Sequence, residues 1–140
     1  MIRKLAIVSV AALVVTFFSA CSKEQVQQKV EDMALSIMTE GDWIITQFSE
    51  GPTGITSSFK GWQCHFNRDK TCVAVNGTNR VAGTWDVSTP NQTITGLFPA
   101  GSNPLDKING TWKIVRTNSS FGEFIQIKNG IEYKMELTKL

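Results

Sequence analysis

The sequence predicts an all-β fold, an eight-stranded antiparallel up-and-down barrel preceded by a helical tether, in a chain of 140 residues. From residue 42 onward, short segments rich in Val, Ile, Thr and aromatic side chains alternate with clusters of Gly, Asn, Asp, Ser and Pro. This rhythm is typical of antiparallel strands. In residues 131–138 apolar and polar side chains alternate, so one face is buried and one is solvated. Many short strands of this kind favour closure into a barrel, because closure removes exposed sheet edges.

The predicted strands follow one another with short connections. Residues 55–60 and 61–67 are predicted to form one strand bent at Gly61, and residues 103–107 to form a short helical turn. The other predicted strands are 42–48, 71–76, 80–87, 92–98, 111–117, 122–128 and 131–138.

One helix is predicted before the barrel, over Ser22–Thr39. Apolar side chains recur on one face at spacings of four, three and four, and Gly41 ends the helix. The face is either a partner-binding surface or part of a tether whose last turns cap the barrel. Its apolar residues are Val26, Val30, Met33 and Ile37.

The first twenty residues are predicted to be a signal peptide. Arg3 and Lys4 precede an uncharged run that ends at Phe18, which is shorter than the roughly 20 apolar residues of a membrane-spanning helix. The sequence Phe-Phe-Ser-Ala-Cys at 17–21 resembles the lipobox of bacterial lipoproteins, although Phe18 replaces the usual aliphatic residue. An ordinary secretory signal with an incidental cysteine is the alternative.

The lipobox resemblance implies cleavage before Cys21 and acylation of that cysteine with palmitate or similar chains. The domains would be a signal peptide at 1–20, a lipidated helical tether at 21–40 and a barrel at 41–140. Two or three acyl chains anchor a protein firmly to a membrane. The predicted location is the bacterial cell envelope, and Ser22 is compatible with sorting to the outer membrane.

The two remaining cysteines, Cys64 and Cys72, are predicted to form a disulfide. An exported protein lies in an oxidising compartment, where paired cysteines are usually bridged. Their numbers share parity, so both side chains can lie on one face of a hairpin. Two buried free thiols are the alternative.

Charge and composition exclude several functions. Arg3 and Lys4 account for the net charge of +2, so residues 21–140 are neutral and have no basic field that would attract nucleic acid. His65 is the only histidine, and two cysteines beside it match no familiar zinc site. Because no paired titratable groups or activated nucleophile are evident, we expect no catalytic residues, no metal, no cofactor and no enzymatic activity.

Three of the four tryptophans occur in the tripeptide Gly-x-Trp, with pairs Gly41/Trp43, Gly83/Trp85 and Gly110/Trp112. A glycine allows close backbone approach, and the large ring that follows can turn inward and close the core. These tryptophans are predicted to be packing residues. The first Gly-x-Trp belongs to a longer motif of Gly41, Trp43, Ile45 and Phe48. Three further motifs follow it along the chain: Phe59, Gly61, Trp62, Cys64 and Phe66; Val81, Gly83, Thr84, Trp85 and Val87; and Pro104, Leu105, Asp106, Ile108, Asn109, Trp112 and Ile114.

In their order and spacing, these motifs resemble the small bacterial lipocalin-like lipoproteins over residues 41–138. In large lipocalins an arginine often packs under the first tryptophan, and Arg116 is the nearest counterpart here. Cys64 and Cys72 replace a usual phenylalanine and a usual aliphatic residue, a paired change that supports the disulfide.

The lipocalin resemblance implies a membrane-anchored monomer that binds or carries a small hydrophobic molecule inside the barrel. The alternatives are a protein-binding module, such as an inhibitor of lysozyme or a protease, and a structural envelope module. Loops at 50–54 and 99–104 are the candidate contact segments for a protein partner. Candidate ligand-binding residues, chosen by strand parity, are Trp62, Phe66, Ile94, Phe98, Tyr133 and Met135.

Overall fold

The computed structural model describes the backbone of residues 8–140 and the side chains of residues 24–140. The chain divides into two compact units, Met1–Met33 and Ala34–Leu140. Helix α1 (Val8–Thr39) ends where the sequence predicts, just before Gly41, whose φ of +75° lies in the left-handed region. It begins earlier than predicted, because no glycine or proline interrupts residues 8–39.

The described residues after α1 form nine strands and two 3₁₀ helices. The 3₁₀ helices are Thr56–Phe59 and Leu105–Ile108. The strands are β1 (Trp43–Glu50), β2 (Thr53–Gly54), β3 (Gln63–Phe66), β4 (Thr71–Asn76), β5 (Asn79–Ser88), β6 (Thr93–Leu97), β7 (Gly110–Thr117), β8 (Phe121–Lys128) and β9 (Ile131–Lys139).

The sheet closes on itself as an antiparallel barrel. Strands β3 to β9 pair in chain order, and β1 pairs with β9 from Trp43↔Lys139 to Glu50↔Tyr133. On its other side β1 meets β3 at the single position Trp43↔Cys64, while the two-residue β2 folds back onto the end of β1. The predicted fold class, an eight-stranded antiparallel barrel with an N-terminal helix, is confirmed.

The predicted strand at 55–60 is wrong. The backbone N–H of Ile55 donates to the Phe48 carbonyl at 2.9 Å, and the Phe48 N–H donates to Thr56 Oγ1 at 3.0 Å. These bonds hold the segment against the end of β1, and residues 56–59 coil into a 3₁₀ helix that turns Phe59 into the core. The second 3₁₀ helix overlaps the predicted helical turn at 103–107.

The two ends of the barrel differ in their connections. At one end, the helix end, the strands are joined by tight turns at 67–70, 89–92 and 118–120, and the last turn of α1 covers the opening. At the other end, the mouth, the longer segments 51–62 and 98–109 contain the two 3₁₀ helices. The core between the ends is densely apolar, and its most buried large side chains are Trp43, Phe48, Leu105 and Trp112.

Candidate functional site

The barrel interior is filled by its own side chains. Four of the six predicted ligand-binding residues, Phe66, Ile94, Phe98 and Met135, are buried and line a cavity of about 30 Å³. Small-molecule sites in proteins have volumes of about 300–1,000 Å³, whereas a single water needs about 10–15 Å³. In this conformation the interior therefore has space for water-sized molecules and not for a lipid-sized ligand.

The other two predicted residues, Trp62 and Tyr133, lie outside that cavity. Trp62 is partly buried and packs at the edge of the core, just after the first 3₁₀ helix. Tyr133 is near the start of β9, at the mouth, and lines a separate cleft. Strand parity identified the inward-facing positions, but parity alone does not show whether a position borders an empty space.

The Gly-x-Trp tryptophans share one structural role. Each indole N–H donates to a backbone carbonyl in a segment that closes the barrel: Trp43 to Met38 at 3.0 Å, Trp85 to Asn67 at 3.0 Å, and Trp112 to Ile108 at 2.7 Å. Each ring is almost fully buried. The tryptophans therefore join the barrel wall to its end segments, in agreement with a packing role.

Two of these tryptophans carry a lysine on the ring. Lys139 Nζ lies 5.0 Å from the Trp43 ring centroid, and Lys70 Nζ lies 5.1 Å from that of Trp85. Both distances suit a cation–π contact. Arg116 instead lies over Phe121 and pairs with Glu123. The cation on the Trp43 ring is therefore Lys139 and not Arg116, the residue that the lipocalin resemblance suggested.

The last turn of α1 closes the helix end. Met38 is buried in the barrel core, and Leu35 and Ile37 pack against it. The Arg68 guanidinium in the 67–70 turn donates to Ser36 Oγ at 2.8 Å. Within residues 34–140, the end of the helix is thus part of the barrel domain rather than a free tether.

Apolar side chains also close the mouth from within. Phe59 comes from the first 3₁₀ helix, and Leu105 and Ile108 come from the second; all three are buried. Phe59 stacks on Phe48 with ring centroids 4.7 Å apart, and Phe48 meets the edge of Trp112. The mouth is plugged below its rim.

Above this plug lies an open polar cleft of about 520 Å³. Its walls come from the end of β1, the 98–109 loop and the β8–β9 hairpin. The lining residues are Glu50, Asn103, Asp106, Lys107, Lys128 and Tyr133. Its volume falls within the range of small-ligand sites, and both loops that the sequence suggested as contact segments reach it.

The charges of the cleft are only partly paired. Lys107 Nζ donates to Glu50 Oε1 at 2.7 Å, which joins the second loop to the end of β1. Lys128 Nζ donates to the Lys107 carbonyl at 3.3 Å and lies 5.1 Å from the Tyr133 ring centroid. Burial lowers the pKa of Lys128, while the Glu50 and Asp106 carboxylates oppose that shift.

An apolar lip borders the cleft at the tip of the β8–β9 hairpin. Ile131 pairs with Lys128 across the hairpin, lies on the same face and is 46% exposed, whereas Ile127, which is 71% exposed, pairs with Glu132 on the opposite face. Ile131 also adjoins the turn at Gly51. The mouth therefore combines a charged cleft with exposed aliphatic side chains, as protein-binding surfaces often do.

The structure contains no disulfide between Cys64 and Cys72, which are two buried free thiols. In the β3–β4 register Cys64 faces Ala74 and Cys72 faces Phe66, so the cysteines are diagonal neighbours. Diagonal Cα atoms lie about 7–8 Å apart, farther than the 4.4–6.8 Å of usual disulfides. Parity correctly placed both on one face, but the hairpin register offsets them.

His65 and Asp42 form a polar contact outside the barrel core. The Nδ1 atom of His65 is 2.8 Å from Asp42 Oδ1. In the part of the chain with described side chains, no Ser, Thr or Cys bonds the His65 ring, and no group of acidic, His and Cys residues could hold a metal. The side chain of Cys21 and residues 1–7 lie outside the described residues, and within those described no helix has the length and apolar character to span a membrane.

Comparisons with known proteins support the fold. No protein-family model matches the sequence, and a search of curated proteins finds no match. Among solved structures, the crystal structure of a DUF4847 family protein from Bacteroides vulgatus superimposes with a TM-score of 0.54 at 13% identity. The match covers 75% of this chain and 96% of that one. At this identity the likeness shows a shared fold, and the lipocalin-like lipoprotein family stays a prediction.

Proposed function

We propose that this protein is a binding module that recognises a protein partner through the mouth of its barrel. The observation that carries the proposal is the contrast between a filled interior, with a cavity of about 30 Å³, and an open cleft of about 520 Å³ at the mouth. The apolar lip beside the cleft gives a partner surface to bury.

The lipid anchor is part of the same proposal. Acylation at Cys21 would hold the barrel at an envelope membrane, which concentrates it near its partner. The proposal is one of binding without chemistry.

Site-specific photocrosslinking tests the proposal. A photoreactive amino acid replaces Ile131 at the mouth in the full-length chain, expressed in its own cells, and Ser119 at the helix end is the matched control. We expect a discrete crosslinked protein from position 131 and none from position 119. Equal crosslinking from both positions, or none from either, would contradict a binding surface at the mouth.

A carrier of small hydrophobic molecules is the competing function, and it rests on the lipocalin resemblance. Native mass spectrometry of the full-length chain in detergent separates the two. We expect the mass of the acylated protein alone after incubation with fatty acids and haem. A discrete mass surplus that disappears on denaturation would instead support a carrier, and would require the plug at the mouth to move.

A further inference from the structure

The charges of the mouth cleft indicate what kind of group it receives. Four charged side chains line the cleft, and Glu50 and Lys107 neutralise each other at 2.7 Å. Lys128 and Asp106 have no salt-bridge partner within 4 Å among the residues with described side chains. The cleft therefore presents one unpaired cation and one unpaired anion.

The Lys128 ammonium is held by its contacts, and Asp106 is held through its backbone. Lys128 is fixed by its bond to the Lys107 carbonyl and by the Tyr133 ring, which leaves other N–H groups of its ammonium for a ligand. Asp106 lies on the second 3₁₀ helix between the plug residues Leu105 and Ile108, so its backbone is anchored in the core. The ammonium of Lys128 therefore loses little conformational freedom when a ligand binds.

A ligand with a single charge fits this cleft poorly. An anion at Lys128 would be repelled by the carboxylates of Asp106 and Glu50, and a cation at Asp106 would be repelled by the two lysines. Burial lowers the pKa of Lys128, and Lys107 adds to that lowering while Glu50 and Asp106 oppose it. A pair of opposite charges, in contrast, complements the two unpaired groups.

We infer that the cleft receives a charged pair from one short segment of the partner. This inference rests on the proposed role of the mouth as a protein-binding surface. An acidic side chain of that segment bonds Lys128, and a basic side chain bonds Asp106. An aliphatic side chain between them packs on Ile131, which shares the face of Lys128. The site thus recognises a peptide with an acidic and a basic residue flanking an apolar one.

Short blocked peptides test this inference. The probe is acetyl-Glu-Leu-Lys-amide, and acetyl-Gln-Leu-Gln-amide is the uncharged control. Binding is followed by NMR of the full chain in detergent, through the Tyr133 ring and the Asn103 side-chain amide, which line the cleft. We expect the charged peptide to shift both signals in a saturable way and to bind less tightly as salt is added.

Two single variants, a matched control and a double exchange assign the binding to the two charges. Lys128→Gln and Asp106→Asn should each weaken binding of the charged peptide about fivefold, the size expected for a partly exposed ion pair. Lys113→Gln, on the exposed face of β7, is the matched control and should leave binding unchanged. The double exchange Lys128→Asp with Asp106→Lys should restore most of the affinity, since it keeps one charge of each sign.

Three outcomes would overturn the inference. They are equal binding of the uncharged peptide, an equal loss in Lys113→Gln, and no binding of either peptide to the unaltered chain. Crosslinking from position 131 is independent of these results. If it succeeds while the peptides fail, the mouth is a binding surface with a different chemistry; if it also fails, the proposed function itself is wrong.

Discussion

Large apolar side chains close both the helix end and the mouth of this barrel, but the polar groups outside them differ. At the helix end Trp43 and Trp85 bond backbone carbonyls, lysines cover both rings, and the turns are tight. At the mouth Leu105 and Phe59 make an equally dry plug, yet charged groups without partners lie above it. In the proposed function, closure and binding are separate layers of the barrel, and binding takes place at the mouth, where the charged side chains surround a cleft.

Truncating the plug at each end has the largest expected effect. Trp43→Ala should lower the free energy of unfolding by about 3–5 kcal/mol and Leu105→Ala by about 2–5 kcal/mol, because each leaves a cavity in a packed core. Urea unfolding of both variants measures the loss. A cost below about 1 kcal/mol for Leu105→Ala would mean that the mouth plug is a movable lid, which would favour the carrier function.

We expect the buried thiols to make the free energy of unfolding of the barrel depend on pH. Burial raises the pKa of Cys64 to about 12 and that of Cys72 to about 11, from 9.0. Because the folded state keeps protons that the unfolded state releases, stability is full below pH 9 and falls as the pH rises through these values. With the thiols kept reduced, each contributes a slope of up to about 1.4 kcal/mol per pH unit.

Urea unfolding between pH 8 and 10.5 checks this dependence. The double variant Cys64→Ala with Cys72→Ala should flatten the slope, whereas Leu105→Ala should lower stability and leave the slope intact. Equal slopes in the unaltered chain and the double cysteine variant would show that other groups cause the dependence.

Replacing single tryptophans with phenylalanine gives the smallest of these effects and compares the end segments directly. Trp112→Phe leaves the Ile108 carbonyl without its side-chain donor at a buried site, whereas after Trp85→Phe the half-buried Asn67 carbonyl still accepts from the Lys70 backbone N–H at 3.1 Å. The losses should be about 1–3 kcal/mol, with Trp112→Phe the larger, since buried unpaired acceptors cost more. Unfolding midpoints in urea measure both, and the reverse order would place the stronger attachment at the helix end.

Local patterns predicted most of the barrel wall. The alternation of Ile131, Tyr133, Met135 and Leu137 defined β9, and the Gly-x-Trp repeat indicated three inward rings. The segment 55–60 was mispredicted because apolar residues such as Ile55 and Phe59 also suit a strand. Only tertiary hydrogen bonds to Phe48 decide that it coils instead.

The charged residues that line the mouth cleft could not be predicted from the sequence. Glu50, Asp106, Lys107 and Lys128 are far apart along the chain, and their charges resemble ordinary surface positions until barrel closure brings them together. The sequence did suggest the loops at 50–54 and 99–104, from their glycine and proline content. The offset of Cys64 and Cys72 was equally invisible, because it depends on the register set by the turn between them.

The pairing of β1 with β9 has a consequence for how the molecule is made. The first strand has one contact position with β3 and a long ladder with the ninth strand, so most of its backbone partners come from the far end of the barrel sequence. A ribosome or an export channel delivers the chain from its N-terminus, and β1 must wait with an unpaired edge until residues 131–139 emerge. Closure of the barrel is therefore a late event, and a chain that stalls before its ninth strand leaves the first exposed to pairing with other chains.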